Sequence, residues 1–530
     1  MADTQQAGKR TAADVVIVGS GASGSVLAAK LAGAGKRVVI LEAGPERRMS
    51  DLVSSQIWAR RLKWGGAPVI EKGAQPIGHG FNAGWGTGGA ALHHYGVWPR
   101  LHPEDFEVKS RYDRGLDWPI GYDDLRPFYD RIQTEVGMSG DAEAEIWRPP
   151  GAPYPMKPVP RFAQADVLAR GFKALGMTVA PLPLAVTTEN YRGRPACIWD
   201  GWCDAGCPTG ALANPLAVYL PQALEAGAEI RHRAMVTRVL TDDKGTGARG
   251  VEYIDGDGAR HTLRAAVVVL AAFAVQNPRI LLNSVSARQP RGLANSSGLV
   301  GAYAMTHAAG GINGLFDEDT ESFYGATGGQ LINQDGYPKD GHGNDAFGSY
   351  QWLIARAVKP NDLLGFAVGR PDIYGAKLDD FMKRATRGFA AMTSVGEDLP
   401  VAENRVGLST KKDAFGLPLA EVVHNAVPAS LALWRRAVAE GRRLFKAAGA
   451  KQVWTGPIAP MHILGGTIMG NDPKASVTDS YGLTHDVGNL FIAGPGLFPT
   501  SGGVNPTFTV HALALRTADH MIEHWGALTP

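Results

Sequence analysis

Asp14-Val-Val-Ile-Val-Gly19-Ser-Gly21-Ala-Ser-Gly24 is the stretch whose reading decides the fold. Its first half is a short β-branched run of the kind that forms a buried parallel strand. Its second half is a G-x-G-x-x-G turn, followed by an Ala-rich helical stretch to Ala34. A second strand is expected from Arg37 to Leu41, and it ends at Glu42. Together these make a βαβ unit with its glycines in the order that a dinucleotide site requires. Gly19 permits the tight turn, Gly21 lets backbone approach a pyrophosphate, and Gly24 allows the helix to pack closely on the strand. Free N–H groups at the helix start face the phosphates, and a carboxylate at Glu42 suits ribose hydroxyls. The expectation is an α/β chain with a Rossmann-like parallel sheet; the motif alone leaves FAD and NAD both open.

The bulk properties allow this and exclude other classes. The chain has 530 residues, 45% apolar and 20% charged, enough for two to four domain equivalents with ample core. A net charge of +2 gives no reason to expect a nucleic-acid partner. The longest apolar run, Ala265 to Val275, has eleven residues, too short for a bilayer and well suited to a buried strand. Met1 to Ala13 is polar, with Lys9-Arg10 a lone basic pair, so no export signal of its own is expected. Cysteine usage is the anomaly. All three cysteines, Cys197, Cys203 and Cys207, lie within eleven residues and are followed by Pro208. An odd count argues against a disulfide framework, and clustered thiols point to a metal or iron–sulfur site.

Near the other end, His462-Ile-Leu-Gly465-Gly466-Thr467-Ile-Met469-Gly470 precedes Asn489-Leu-Phe-Ile-Ala-Gly494, which reads as a last strand of the nucleotide domain. Pro499-Thr-Ser-Gly-Gly-Val-Asn505-Pro506-Thr507 then opens a helix expected from Phe508 to Trp525. These segments, with Glu42-Ala-Gly-Pro45, the Gly88-Gly89 loop and the Asn295-Ser-Ser-Gly-Leu-Val-Gly301 turn, resemble the glucose–methanol–choline (GMC) oxidoreductase family along nearly the whole chain. One departure is Gly466, where the family usually has Thr. The resemblance implies FAD, held by Gly19, Gly21, Gly24, Glu42, Gly88, Gly89, His93, Val236, Gly494, Asn505 and Pro506. It also implies catalysis by His462 and Asn505. A neutral imidazole suits removal of a hydroxyl proton, and a neighbouring amide holds the same oxygen without competing for that proton. The bland alternative for His462 is a satisfied core histidine. His93 sits where pyranose oxidase links its flavin, but Ala91-Leu92 replaces the Ser-Thr of that motif, leaving attachment, contact and packing open. His307 matches a family histidine without an arguable proton-transfer role, and His511 reads as structural.

The fold so implied is the GMC fold: a discontinuous FAD-binding domain, 10–300 and 456–530, with an inserted cysteine loop at 195–210. Most of a substrate domain with an antiparallel sheet falls at 301–455. Gly365 to Gly369 and Ala420 to His424 read as strands of that sheet, and Ser430 to Ala448 as a solvated amphipathic helix. A Gly-rich loop with Asp340, His342, Asn344 and Asp345 reads as a surface loop, or one that reaches a sugar. Three thiolates suit a [3Fe-4S] cluster, one per iron. The C-x5-C-x3-C-P spacing, Tyr191-Arg-Gly-Arg-Pro195 and Trp118 to Tyr129 resemble the catalytic subunits of bacterial FAD-dependent glucose, fructose and gluconate dehydrogenases. The alternatives are an open-site [4Fe-4S] cluster, zinc completed by His or Asp, or free thiols. The function implied is oxidation of an alcohol on a sugar, glycoside or polyol. Electrons would leave through the cluster to a haem partner such as a cytochrome c. A small chaperone-like subunit would carry the chain to the periplasm; a cytoplasmic enzyme is the alternative. The rivals are an oxygen-using oxidase without a cluster and a non-redox FAD-containing lyase.

Overall fold

The computed structural model describes residues 12–63 and 67–529. The Lys9-Arg10 pair and the polar stretch before Ala12 lie outside the described residues. The opening motif folds as its pattern requires. The strand Ala12–Val18 is followed by the helix Ala22–Gly33 and the strand Val38–Leu41, whose four residues are all buried. Val15 to Val18 pair in parallel register with Val38 to Leu41 on one side and with Val267 to Leu270 on the other. Such a strand is covered on both faces, and its β-branched residues pack well there.

This strand is central to a seven-stranded sheet running Glu229–Arg231, Val38–Leu41, Ala12–Val18, Arg260–Leu270, Ala248–Ile254 and Met235–Thr241, with Leu490–Ile492 also paired to Arg260–Leu270. The last strand returns from 220 positions downstream (490 against 270) to sit in parallel beside Leu270. The long terminal helix, Thr507–Glu523, then packs against Ala22–Gly33. Both ends of the chain therefore build one site.

A second seven-stranded sheet runs Gln452–Thr455, Met305–Leu315, Phe389–Gly396, Tyr350–Ile354, Leu331–Asn333 and Ala180–Pro181, with Ala459–Leu464 also on Met305–Leu315; all its pairings are antiparallel. The helices Pro428–Ala447 and Ala163–Ala174 pack together at this sheet, so residues on both sides of 301–455 contribute to this layer.

Two expectations fail. Gly365 to Gly369 is no strand: it lies in and just after the helix Pro360–Val368, capped at Gly369. Its run Leu363-Leu-Gly-Phe-Ala-Val is short and apolar, a pattern that strand and buried helix share, and Pro360 at the first turn starts a helix. The second concerns Ala420 to His424. It is a strand, Pro418–Val423, but belongs to a separate three-stranded sheet with Arg405–Lys412 and Val69–Lys72. Among the described residues no helix is long and apolar enough to cross a membrane.

Candidate active site

A cavity of about 780 Å³ lies between the carboxyl ends of the parallel strands and the second sheet. Gly19, Ser20, Gly21 and Glu42 wall one end; Val236 lies along the side; His462, Asn505 and Pro506 wall the other end. Asn313 and Thr393 of the antiparallel sheet also line it. Crevices at the carboxyl ends of parallel strands are where open α/β sheets take their ligands.

The nucleotide end is shaped by two glycines with different tasks. A Cβ on Gly24 would meet the Gly19 carbonyl oxygen at 2.0 Å, so Gly24 serves helix–strand packing. A Cβ on Gly21 would meet only the Gly88 carbonyl oxygen at 3.9 Å, so the space in front of Gly21 is open to the cavity. Glu42 is buried, and its carboxylate is already used by the chain. Ser20 N–H (3.1 Å) and Oγ–H (2.7 Å) donate to one oxygen, and Gly44 N–H (2.9 Å) and Gly86 N–H (3.1 Å) to the other. Four donors fill its lone pairs. Glu42 thus ties the glycine turn to the 84–89 loop, and a ribose hydroxyl reaches it only if a donor such as Ser20 Oγ turns away. Gln276 Nε2, in the cavity wall, is buried without a hydrogen-bond partner. Such an orphan donor fits a polar ligand, so the open glycine face and the unpaired amide fit a dinucleotide.

At the other end, His462 sits on a bulge. The ladder between Ala459–Leu464 and Met305–Leu315 shifts register between Met461 and Ile463, and His462 takes a φ of +59°. A bulge leaves one residue unpaired and re-aims its side chain. The extruded N–H donates to Asn82 Oδ1 at 2.9 Å, and the imidazole opens on the cavity. His462 Nδ1 is 2.9 Å from His307 Nδ1, and Asn505 Nδ2 is 3.3 Å from His462 Nε2. Burial, and then the neighbouring His307, push the His462 pKa well below the usual imidazole value. The pair therefore presents a neutral ring beside an amide donor, an arrangement able to take a proton from a hydroxyl. His307 is fully buried, and sequence gave it no proton-transfer role; its contact with His462 spans 155 positions, beyond any local pattern.

Of the other expected site residues, Gly89 and His93 also line the cavity. His93 Nε2–H donates to the Ala83 carbonyl at 3.2 Å, and burial holds its pKa down at about 4. Gly88 caps a short helix behind the wall, its N–H given to Ser20 Oγ. Gly494 approaches Ser23 beneath the turn. Gly466 has a φ of +88°, a conformation that favours glycine over the Thr expected there. His511 is packed at 4.5 Å on Trp98 inside the terminal helix. The 340–345 loop does not line the cavity; Asp345 pairs with Arg436 at the surface.

The cysteines form a separate pocket against the cavity wall. Cys203 and Cys207 are buried and Cys197 partly so, in one apolar cluster against which Tyr95 and Met461, both also in the cavity wall, are packed. Each sulfur faces hydrogen-bond donors: Trp199 N–H for Cys197 (3.4 Å), Leu212 N–H for Cys207 (3.3 Å), and Thr327 for Cys203. Burial pushes the Cys203 thiol up to about 12, with the Cys207 sulfur adding to the effect. Among the described residues no three His, Cys, Asp or Glu side chains converge for a single metal ion. Charged groups surround the loop. Asp204 accepts from both Lys63 (2.6 Å) and Lys359 (3.4 Å), and Lys359 also reaches the partly exposed Asp362. Arg194, electrostatically coupled to Cys207, is buried with its guanidinium on the carbonyls of Val136, Gly210 and Ala211. Three buried cations, Lys63, Lys359 and Arg194, and the carboxylates of Asp200, Asp204 and Asp362 thus surround the three thiols.

A nucleotide-cofactor fold with an imidazole–amide pair over its cavity defines an oxidoreductase of alcohols. Comparison with known proteins gives the family. GMC oxidoreductase family models match residues 13–308 and 400–514. The chain is 32% identical over 540 residues to the fructose dehydrogenase large subunit of Gluconobacter japonicus, covering 96% of this chain and 98% of the relative. It is 32% identical over 533 residues to the 2-methyl-1,2-propanediol dehydrogenase of Mycolicibacterium austroafricanum, covering 96% and 95%. Among solved structures, a formate oxidase of Aspergillus oryzae superposes with a TM-score of 0.70 at 15% identity, over 98% of this chain and 99% of that one, a likeness of fold. The chain belongs to the GMC oxidoreductase family and is an FAD-dependent oxidoreductase acting on alcohol groups.

Proposed function

We propose that this chain is a dehydrogenase that oxidises an alcohol of a sugar, glycoside or polyol and passes electrons to a protein acceptor rather than to oxygen. The observation that carries the reading is the His462 imidazole, kept neutral and opening on the cavity with Asn505 Nδ2 beside it. FAD, held along Gly19, Gly21, Gly89, Val236 and Pro506, would supply the hydride acceptor. His462 takes the hydroxyl proton at Nε2. Asn505 donates its amide N–H to the same oxygen and holds the alcohol in line. Buried His307 keeps water from the back of the ring. Asn313 and Thr393, polar groups in the opposite wall, suit a substrate with several hydroxyls. The relatives named for fructose and for a diol support that substrate class.

Cys197, Cys203 and Cys207 would hold a [3Fe-4S] cluster, which supplies a one-electron exit. Three observations fit it. The thiols share one desolvated pocket, each sulfur faces donors, and the buried cations nearby suit an anionic cluster with three thiolates. Tyr95 and Met461, shared by cavity and cysteine pocket, give the electron a short packed path. The relative's description as a large subunit supports a small partner subunit, and the electron acceptor would be a cytochrome c.

The test is anaerobic mixing of the purified, FAD-loaded protein with D-glucose, D-fructose, D-sorbitol and 2-methyl-1,2-propanediol, with iron and flavin measured on the same sample. Bleaching of the flavin by a panel member, about three irons per flavin and electron transfer to a dye in air support the proposal. Bleaching without iron, with peroxide formed in air, means an oxidase. No bleaching by any alcohol means a lyase.

A further inference from the structure

The direction of every hydrogen bond around His462 can be derived from two carbonyls. Ser501 O and Gly502 O only accept, and they lie 3.2 and 2.8 Å from His307 Nε2, so that nitrogen carries a proton. Burial keeps His307 neutral, leaving the lone pair on its Nδ1. His462 Nδ1, 2.9 Å away, must therefore donate, and the lone pair of the neutral His462 ring falls on Nε2. Asn505 then presents Nδ2 to it, and Asn505 Oδ1 must face away. It meets Gln351 Nε2 at 2.9 Å. Gln351 Oε1 accepts from Gln334 Nε2 at 3.0 Å, and Gln334 Oε1 from His102 Nε2 at 3.3 Å. Gln334 and Gln351 are 1% and 0% exposed; Gln334 directly follows the strand Leu331–Asn333, and Gln351 lies on the antiparallel strand beside it, just beyond the Asn333–Trp352 pair. The far end is fixed as well: His102 stacks on Tyr337 at 3.7 Å, and Tyr337 O–H donates to Asp105.

We infer that Gln351, backed by Gln334 and His102, is a positioning residue that locks the Asn505 amide with its N–H2 toward His462 Nε2 and the substrate oxygen. This rests on the proposed roles of His462 and Asn505. Every donor in the chain from His102 onward points the same way, toward the reacting oxygen. With no donor at position 351, the Asn505 amide is free to turn. Its carbonyl would then face the His462 lone pair, an arrangement that favours imidazolium and removes the base.

The experiment is a double-mutant cycle on the holoenzyme, using whichever panel sugar or polyol bleaches the parent flavin fastest. Flavin content and melting temperature are measured on each variant. Gln351→Leu should slow anaerobic flavin reduction about tenfold with KM little changed, yet cost less than about twofold in an Asn505→Ala background. Gln351→Glu keeps the acceptor for Gln334 and loses the donor for Asn505. It should raise the pH of the acid limb of kcat/KM in the parent and not in the Asn505→Ala background, where a mere charge effect would persist. Should Gln351→Leu not fold, Gln351→Glu alone decides. Equal effects in both backgrounds, or no effect in either, overturn the inference. Retained flavin reduction in His462→Ala overturns the underlying reading instead, so the two failures are distinguishable.

Discussion

At the scale of residues, the site depends on a histidine that stays neutral. His462→Ala in a folded, FAD-loaded protein should abolish flavin reduction by substrate, with a loss of about 100-fold or more, since a positioned base contributes that much. Flavin content and absorbance before and after anaerobic mixing read this directly. Retained bleaching would remove His462 from the chemistry. The second consequence concerns pH. A base works only when unprotonated, and burial followed by His307 lowers the His462 pKa. The acid limb of kcat/KM should therefore lie below the ordinary imidazole value near 6.5, and activity should be level from pH 7.5 to 6.5. A limb centred at 6.5 would mean that the ring is solvated in the working enzyme. His462 was legible because its motif is local. His307, Gln351 and Gln334 were not: their contacts join positions 155, 154 and 17 apart, and nothing in a buried Gln on a strand announces its partner.

At the scale of elements, the opening βαβ unit was the most legible part, since strand period, glycine spacing and helix all lie within 30 residues. Its two inner glycines make a paired prediction. Gly21→Ala meets open space and should leave the fold intact while weakening FAD retention, because the added methyl occupies the face kept for the ligand. Gly24→Ala meets backbone at 2.0 Å and should destabilise the apo fold by about 1–3 kcal/mol through overpacking. Flavin content after desalting, and melting of both apo proteins, separate the two; equal melting losses would refute the assignment. Least legible was Leu363-Leu-Gly-Phe-Ala-Val, where a short apolar run carries no period and tertiary context chose helix. The cysteine loop lies between these extremes. Its clustering is visible in sequence, but the buried cations around it come from positions 63, 194 and 359. Cys203→Ser should leave flavin reduction by substrate near the parent rate while slowing transfer to a dye or cytochrome, followed by stopped-flow absorbance. Loss of flavin reduction in folded, FAD-loaded protein would overturn the exit role.

At the scale of the molecule, the dry interior that keeps His462 neutral holds other neutral histidines as well. Burial holds His79, His93, His102 and His511 at about 4 and His94 at about 3. They occupy the cavity wall, the Gln334 relay and the terminal helix that joins the two ends of the chain. Each has a folded-state pKa below that of the unfolded chain, so the unfolded chain binds protons that the folded one refuses. Their contribution is present above pH 6.5 and is lost as pH falls from 6.5 toward 4, each by up to about 1.4 kcal/mol per pH unit. His424 runs the other way. Against its own burial, the bond to Asp398 raises its pKa, so it favours the fold at low pH. The protein should therefore melt at clearly lower temperature at pH 5.2 than at pH 7.5, before most carboxylates titrate. Unfolding at pH 5.2 should take up several protons net, because these rings are neutral in the fold and charged in the unfolded chain; His424 is protonated in both states there and changes the count little, and Glu145, pushed up to about 7 by burial, gives one proton back. Calorimetry in buffers of different ionisation enthalpy measures that uptake. A melting temperature unchanged across this window, or no proton uptake, would mean that water reaches these rings and that the cavity is not the dry compartment that hydride chemistry requires.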